Sequence, residues 1–331
     1  MRTILLFITL ALATSAGMVI RAHGSLQQEV TVPQDSMVDV IAWLSKNDTL
    51  DYVIKTSEWK ITPDDTITTL GISSKVRIVV TDSTSTGYKM DYTFMDSRLD
   101  TVEESPLETY AQAMMEKLNK NIAGTTVHFE TDEFGCITKI TNLNEIRKRA
   151  TSLYKEAVRE ILALDEVKEM KKAGVDFSKE MKEIDTGQLV ESYLEELKLI
   201  FVYNGNSIKI GETTEHEYAT DSTYMNDSYV GVFSDPEDGS YEIVSQVDNI
   251  IPKDELRILV GDFLDEVSDD STDISGYINK AIDTNAIHTS YLDVKYMTVG
   301  LPYKIVKQET TTLRNRGKCE QTVIILDDYR Y

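Results

Sequence analysis

The hydrophobic pattern changes period inside one short stretch, and that change organises the rest of the chain. From Thr125, TTVHFETDEFGCITKITN alternates polar and apolar positions on either side of Asp132-Glu133-Phe134-Gly135. Alternation of period two is the mark of a strand with one buried face. Gly135 can adopt the left-handed conformation that closes a short hairpin loop. The expected pairing is Thr131 with Cys136, Phe129 with Thr138 and Val127 with Ile140. That register puts Val127, Phe129, Cys136 and Ile140 on one face, and His128, Glu130 and Lys139 on the other. At Asn142 the period switches to three and four. Leu143, Ile146, Ala150, Leu153, Ala157, Ile161, Leu164 and Val167 form one helical stripe, with Arg147, Lys148, Lys155 and Arg159 off it. Asn142 with Glu145 reads as a capping box.

The same two periods sort the remaining chain. Ser36 to Lys46 reads as a short helix with Met37, Val40, Ile41 and Leu44 on one side. Strands follow around Leu50–Lys55, Lys75–Val80 and Tyr88–Phe94, each with the alternation of an antiparallel sheet that has one wet face. Asp82–Gly87 is the loop between the last two. Pro106 opens a helix that carries Leu107, Tyr110, Met114, Leu118 and Ile122, and Gly124 ends it. After the organising unit, Gly174 breaks the helix, and Thr186–Tyr203 forms another with Leu189, Tyr193, Leu197 and Ile200 on its stripe. Strands are expected again near 207–220, 228–233, 240–249, 287–299, 303–313 and 321–327. A helix opened by Pro252 and a second one ending near Ile282 interrupt them. The fold class is therefore α+β: a large curved antiparallel sheet or incomplete barrel with packed helices. It has two pseudo-equivalent halves and a helical insert. The divisions are 1–24, 25–141, 142–204 and 205–331.

Composition narrows the partners. Met1-Arg2 and the apolar run Ile4–Ile20 have the form of a secretory signal peptide, with cleavage after Ala16 or Gly24. A retained anchor is the alternative. No later segment is apolar enough to span a bilayer, and no Cys follows the run to carry a lipid. Loss of residues 1–24 removes Arg2 and Arg21 from 34 basic residues and leaves 56 acidic ones, a net of −24. That charge disfavours nucleic acid and anionic lipid surfaces. The expected location is secreted or periplasmic.

Motifs of chemistry are sparse. No GxSxG, GxGxxG, Walker A loop, HExxH or paired CxxC occurs. Ser57-x-x-Lys60 and Ser152-x-x-Lys155 lack the companion motifs of serine acyl-enzymes, and Tyr291-x-x-x-Lys295 lacks a dinucleotide loop. His23, His128, His216 and His288 share no ligand spacing, so no metal site and no cofactor is expected. The acidic segments Asp235–Gly239 and Asp265–Asp273 do not follow EF-hand spacing and read as solvated loops. Cys136 and Cys319 are the two cysteines; an oxidising compartment would permit a bridge between them, with two buried thiols as the alternative.

The segments NDTLDYVIKTSEW, GTTVHFETDEFGCITKITNLNEI and VGLPYKIVKQETTTLRNRGKCEQTVIIL resemble a family of uncharacterised secreted proteins of Bacteroidetes. The shared features are an early hairpin ending in Asn and Glu and a late Gly-aliphatic-Pro turn. The resemblance implies a Gram-negative envelope. More loosely, it implies a curved sheet like that of periplasmic lipoprotein carriers. Triplets of Asp, Ser or Thr, then an apolar residue or Thr resemble the O-glycosylation signal of envelope proteins in that group. They mark Thr49, Ser83 and Thr101 as acceptors, and they equally suit turn chemistry.

One surface could hold a ligand. Tyr52, Tyr88, Met90, Tyr92 and Phe94 share one strand face, which either lines a cavity for an apolar ligand or lipid or is packed by helices. Three functions follow: a non-enzymatic envelope protein that binds an apolar ligand, a surface adhesion or interaction protein, and a hydrolase whose residues meet only in the fold.

Overall fold

The computed structural model describes residues 36–102, 123–163, 168, 186–218, 224–235, 237–257 and 282–331. In chain order the strands and helices are β1 (Met37–Asp39), β2 (Thr49–Ile61), β3 (Thr66–Thr84), β4 (Gly87–Val102), β5 (Thr126–Thr131), β6 (Ile137–Ile140), α1 (Leu143–Ala163), α2 (Thr186–Ile200), β7 (Ser207–Lys209), β8 (Gly211–Tyr218), β9 (Tyr224–Ser234), β10 (Tyr241–Ile251), β11 (Ala286–Tyr296), β12 (Pro302–Leu313) and β13 (Arg316–Arg330). The helix expected before Gly124 and the stretches 164–167, 169–185 and 258–281 lie outside the described residues, as do positions 1–35.

One open antiparallel sheet of 11 strands dominates, in the order β6-β5-β4-β3-β2-β13-β12-β11-β10-β9-β8. It is not closed into a barrel: β6 and β8 stand at its two edges. Two meanders meet where β2 pairs with β13, from Ile61↔Gly317 to Thr49↔Arg330. The inner face carries Leu50, Tyr52, Ile54, Val76, Ile78, Val80, Met90, Tyr92, Val127, Phe129, Ile243, Val294, Ile305 and Ile324, all buried. The buried side chains of α2, of α1 and of the 38–44 segment join them in one core. Burial of this continuous apolar face is what holds the sheet in shape.

Several expectations are corrected. Ser36–Lys46 is not a helix. Its buried residues are Val38, Val40, Ala42 and Leu44, a period of two, and its backbone finds partners in three loops: Val40 N donates to Asn206 O, Ala42 N to Phe134 O and Trp43 N to Val299 O. Gly300 permits this threading. Its φ is +69°, and a Cβ there would stand 1.8 Å from the Ile41 carbonyl oxygen. In the organising hairpin Phe129 pairs with Ile140 and Thr131 with Ile137, with a register shift after Glu130. Cys136 is consequently an exposed loop residue, not a member of the buried face. The loop closes because Asp132 Oδ1 accepts from both Phe134 N and Cys136 N. The Asn142 side chain does not cap α1. It accepts from His128 N and donates to Thr126 O, so it ties the helix start to β5. On α2 the described buried residues are Val190, Leu194, Leu197, Leu199 and Ile200, which include Leu197 and Ile200 of the expected stripe; the side chains of Leu189 and Tyr193 lie outside the described residues. The DSTSTG loop shrinks to Ser85-Thr86, because β3 and β4 pair as far as Thr84↔Gly87.

The bridge between Cys136 and Cys319 is not made, and both thiols are free. Cys319 lies opposite Trp59 near the end of β2. Cys136 lies beyond the other end, next to the hairpin of Thr84 and Gly87. About ten residues of β2 separate the two levels, about 33 Å along the strand at its usual rise. A disulfide needs Cα atoms within about 7 Å.

Candidate functional site

The five residues of the tyrosine face are brought together, and they face inward. Tyr52, Tyr88, Met90 and Tyr92 are buried, and Phe94 packs against the same core. Alternation along β2 and β4 puts them there, and Leu194 and Leu197 of α2 belong to the same buried core. Tyr52 donates to Pro302 O at 2.9 Å, and Tyr88 donates to Ala42 O at 3.0 Å. These two hydroxyls pin the chain where it crosses the sheet end. Tyr92 differs: its ring meets Phe94 edge-on at 5.1 Å, but its hydroxyl has no hydrogen-bond partner.

Polar groups that the sequence did not flag sit under and beside α2. Glu196 is pushed up to about 7 by burial, with Glu195 adding to the rise and Lys307 opposing it. Its charge is felt by Tyr92, whose phenol burial already holds well above the ordinary range. Lys307 on β12 pairs with Glu195 on α2. Next to this helix the C-terminal strands hold more aromatic hydroxyls. Tyr241 stacks on Tyr296 with centroids 4.8 Å apart; the Tyr241 hydroxyl is not hydrogen-bonded, and that of Tyr296 lies against the Tyr203 backbone. Tyr203 reaches Ser245 Oγ at 3.1 Å. No linear motif predicts this set, because its members come from α2 and from β4, β10, β11 and β12.

Further along the same face, Glu309 gathers Ser290 Oγ at 2.5 Å and His288 Nε2 at 3.2 Å. Burial raises the Glu309 carboxyl, but the bonds from His288 and Ser290 and the charge of Lys307 outweigh it and hold the group low. A serine, a histidine and a carboxylate therefore meet, but not as a relay. Ser290 donates its hydrogen bond to Glu309 directly and lies 3.5 Å from His288 Nε2, while His288 Nδ1 engages Thr311 at 2.9 Å. An activated serine needs the histidine between hydroxyl and acid. The other described histidines also sit beside single carboxylates: His128 Nδ1 on Asp91 at 2.6 Å and His216 Nδ1 on Asp227 at 3.0 Å. Among the described residues no group of three His, Cys, Asp or Glu could hold a metal ion.

The acidic turn at 235–239 is used by its own backbone. Asp235 accepts from Glu237 N and Asp238 from Ser240 N, each at 2.8 Å. Of the three glycosylation candidates, Ser83 is exposed near the end of β3. Thr49 opens the central strand β2 and donates to Asn47 O, beside the buried Asp48. Thr101 lies on β4, and its side chain is outside the described residues. No described helix is long and apolar enough to cross a membrane.

No protein-family model matches the sequence, and no curated protein matches it. Among solved structures, one concerned with lipid–protein interactions in lipovitellin resembles the chain with a TM-score of 0.39 and 8% identity, over 86% of this chain and 26% of that one. A putative outer membrane lipoprotein-sorting protein domain from Vibrio parahaemolyticus has a TM-score of 0.13 and 10% identity, over 85% of this chain and 84% of its own. The chain thus spans 26% of the lipovitellin chain. Likeness at these scores carries no argument about ligand or fold family, so any functional reading rests on the side chains.

Proposed function

We propose that this is a non-enzymatic cell-envelope protein that holds an apolar ligand, such as a lipid chain, against the tyrosine face of its sheet beneath α2. The observation that carries the reading is the polar content of the α2–sheet contact: a half-buried Glu196 whose charge reaches the buried, unbonded Tyr92 hydroxyl where hydrocarbon would pack best. A buried, unsatisfied hydroxyl costs about 1–3 kcal/mol. A helix that served only as a permanent cover would gain by replacing both groups. The contact is instead weak at its centre and latched at its rim by Lys307 and Glu195, a pairing of a kind worth at most about 1 kcal/mol. Lifting α2 would withdraw Leu194 and Leu197 from the core they share with the tyrosine face, and an acyl chain would take their place.

Native mass spectrometry of protein from its own host tests this, together with titration by a dansyl-labelled long-chain fatty acid. The expected results are a co-purifying lipid mass and saturable fluorescence enhancement. A bare polypeptide mass with a flat titration overturns the reading. A cleaved signal peptide and O-glycosylation, with Ser83 as the best-placed acceptor, belong to the same envelope reading. Both would be read as mass changes in that spectrum.

A second reading, as a surface interaction protein, is favoured by one feature. Trp43 is 66% exposed and Phe134 is 42% exposed, on segments joined by the Ala42 N to Phe134 O bond. Exposed aromatics grouped at one end suit a docking patch. Trp43→Ala would then abolish partner capture and leave fatty-acid binding intact.

A further inference from the structure

The outer face of the C-terminal half contains an arrangement that the core does not explain. Strand register fixes it row by row. Phe233, Glu242, Lys295 and Lys304 are neighbours across β9, β10, β11 and β12. The next row is Gly231, Val244, Asp293 and Val306, and the one after it is Tyr229, Gln246, Tyr291 and Gln308. All lie on the face opposite Val232, Ile243, Val294 and Ile305, which belong to the core. An outward-facing aspartate on a wet sheet is normally exposed, yet Asp293 is only 9% exposed and its Oδ1 has no hydrogen-bond partner. Its other neighbours include Glu242, within hydrogen-bonding reach, and the charges of Lys295 and Lys304.

Two rings converge two strands away in the same row, over Gly231. A Cβ on Gly231 would stand 2.5 Å from the Tyr229 hydroxyl and 2.9 Å from Phe233 Cε2, so both side chains lean over the glycine. Tyr291 flanks the same carboxyls from the other side and feels the charge of both. Phe233 keeps 44% of its surface exposed. The patch therefore combines accessible ring faces with a carboxyl oxygen in need of a donor.

We propose that this face of β9–β12 is a binding site for a neutral carbohydrate. A sugar ring offers apolar C–H faces for Phe233 and Tyr229, and hydroxyl donors for the free oxygen of Asp293. Charge selects the class of ligand. Glu242 is already engaged by Lys295 at 3.1 Å. Asp293, pushed up to about 6 by burial and by Glu242, is set against two lysines. With Glu212, which accepts from the Tyr229 hydroxyl at 3.0 Å, three carboxyls stand against the two lysines, so the site is only weakly acidic on a chain of net charge −22. An anionic glycan would meet the field of the whole protein, and a cation would have to displace the lysines. The site uses the face opposite the apolar-ligand face, so it stands or falls separately from the function proposed above.

Affinity electrophoresis of the full chain through soluble starch, mannan, laminarin and hydroxyethylcellulose tests it. At least one of these neutral polysaccharides should retard the protein. Phe233→Ala and Asp293→Ala should each weaken that retardation at least tenfold. Asp91→Asn, on the outer face of the other half, should leave it unchanged. Circular dichroism of each variant checks that it folds, and Gly231→Ala provides a second probe by pushing the rings aside without touching a carboxyl. No retardation in any of the four gels overturns the proposal. So does retardation that survives both ring and carboxyl variants, or that appears only with the anionic polysaccharide alginate.

Discussion

The two halves of the sheet solve the problem of an outer face differently. On β2, β3 and β4 the side chains alternate cleanly, and the outer ones are paired in ordinary wet ion pairs. Arg77 grips Asp51 through Nε at 2.6 Å and Nη2 at 2.9 Å, and Arg330 joins the same carboxylate at 2.6 Å. This carboxyl is held below its usual range by the Arg77 bond. On β10, β11 and β12 most residues are half-buried on both faces, and the outer carboxyl at Asp293 is pushed up, not down. One half spends its outer face on solubility; the other keeps there a carboxyl that is less stable than it could be. Groups held at such a cost are where function is to be sought.

The largest test of this contrast is in the apolar rows. Ile78→Ala on β3 removes a fully buried side chain at the centre of the N-terminal half. It should cost about 3–5 kcal/mol in denaturant unfolding. Val244→Ala, on the half-buried outer face of β10, should cost about 1 kcal/mol or less. Equal losses would mean that the C-terminal outer face is a second core, and the contrast would be lost.

The carboxyls give the next effect, and the signs oppose. Asp51 has a lowered folded pKa, so its contribution is present above its unfolded value near 3.8 and is lost as pH falls through the folded one. Asp51→Asn should lower stability at pH 7 by about 1 kcal/mol, as for other bidentate surface pairs. Asp293 has a raised folded pKa of about 6 against 3.8, so its ionised form destabilises the fold at pH 7, and the penalty fades as pH drops from about 6 to 4. Asp293→Asn should stabilise by about 1–2 kcal/mol at pH 7, allowing for solvent screening, and by almost nothing at pH 4. Urea titrations at the two pH values measure both. A loss from Asp293→Asn at neutral pH would show that the half-buried carboxyl is well paired after all.

The inner face can be probed in the same way. Tyr92→Phe removes a buried hydroxyl that makes no bond, so it should be neutral or stabilise by up to about 1 kcal/mol. Glu196→Gln should stabilise above pH 7 and progressively less towards pH 4.5, because its folded pKa is raised to about 7 from 4.5. If α2 is the movable cover, both variants should also bind the dansyl fatty acid more weakly, since a better-packed cover opens less often. Unchanged binding with raised stability would separate the polar contact from ligand entry.

Most strands were legible because their residues alternate: Leu50, Tyr52 and Ile54, or Tyr88, Met90 and Tyr92, admit only one face as the buried one. The segment at 38–44 was misread because Val38, Val40, Ala42 and Leu44 are interleaved with the apolar Met37, Ile41 and Trp43. Either period then fits, and only the three loop partners decide. Asn142 was misassigned for a related reason. An N-cap asparagine and one that bonds a neighbouring strand look identical in sequence. The tyrosine face and its packing by helices were both readable, but the polar contact beneath α2 was not, since Glu196 and Lys307 lie far apart in the chain. The Asp293 site was invisible because it depends on register across β9, β10, β11 and β12. No spacing in the sequence encodes that register.

The smallest expected effect concerns the cysteines. Cys136 is exposed in the β5–β6 loop, while Cys319 is buried on β13 with Thr310 Oγ1 at 3.3 Å from its sulfur. Burial raises both thiols, so neither is a ready nucleophile at neutral pH. Exposure alone then decides the order of reaction. Iodoacetamide should label one thiol in native protein, at Cys136, and a second only after unfolding, at Cys319. Cys136→Ser should change stability by no more than about 0.5 kcal/mol, because a loop side chain with no packing role is lost. A loss of several kcal/mol, or a mass two hydrogens light with no labelling after unfolding, would mean that a bridge forms. The chain would then have to bring together two points about 33 Å apart at the strand rise, and the open sheet would have to be folded differently from the one seen.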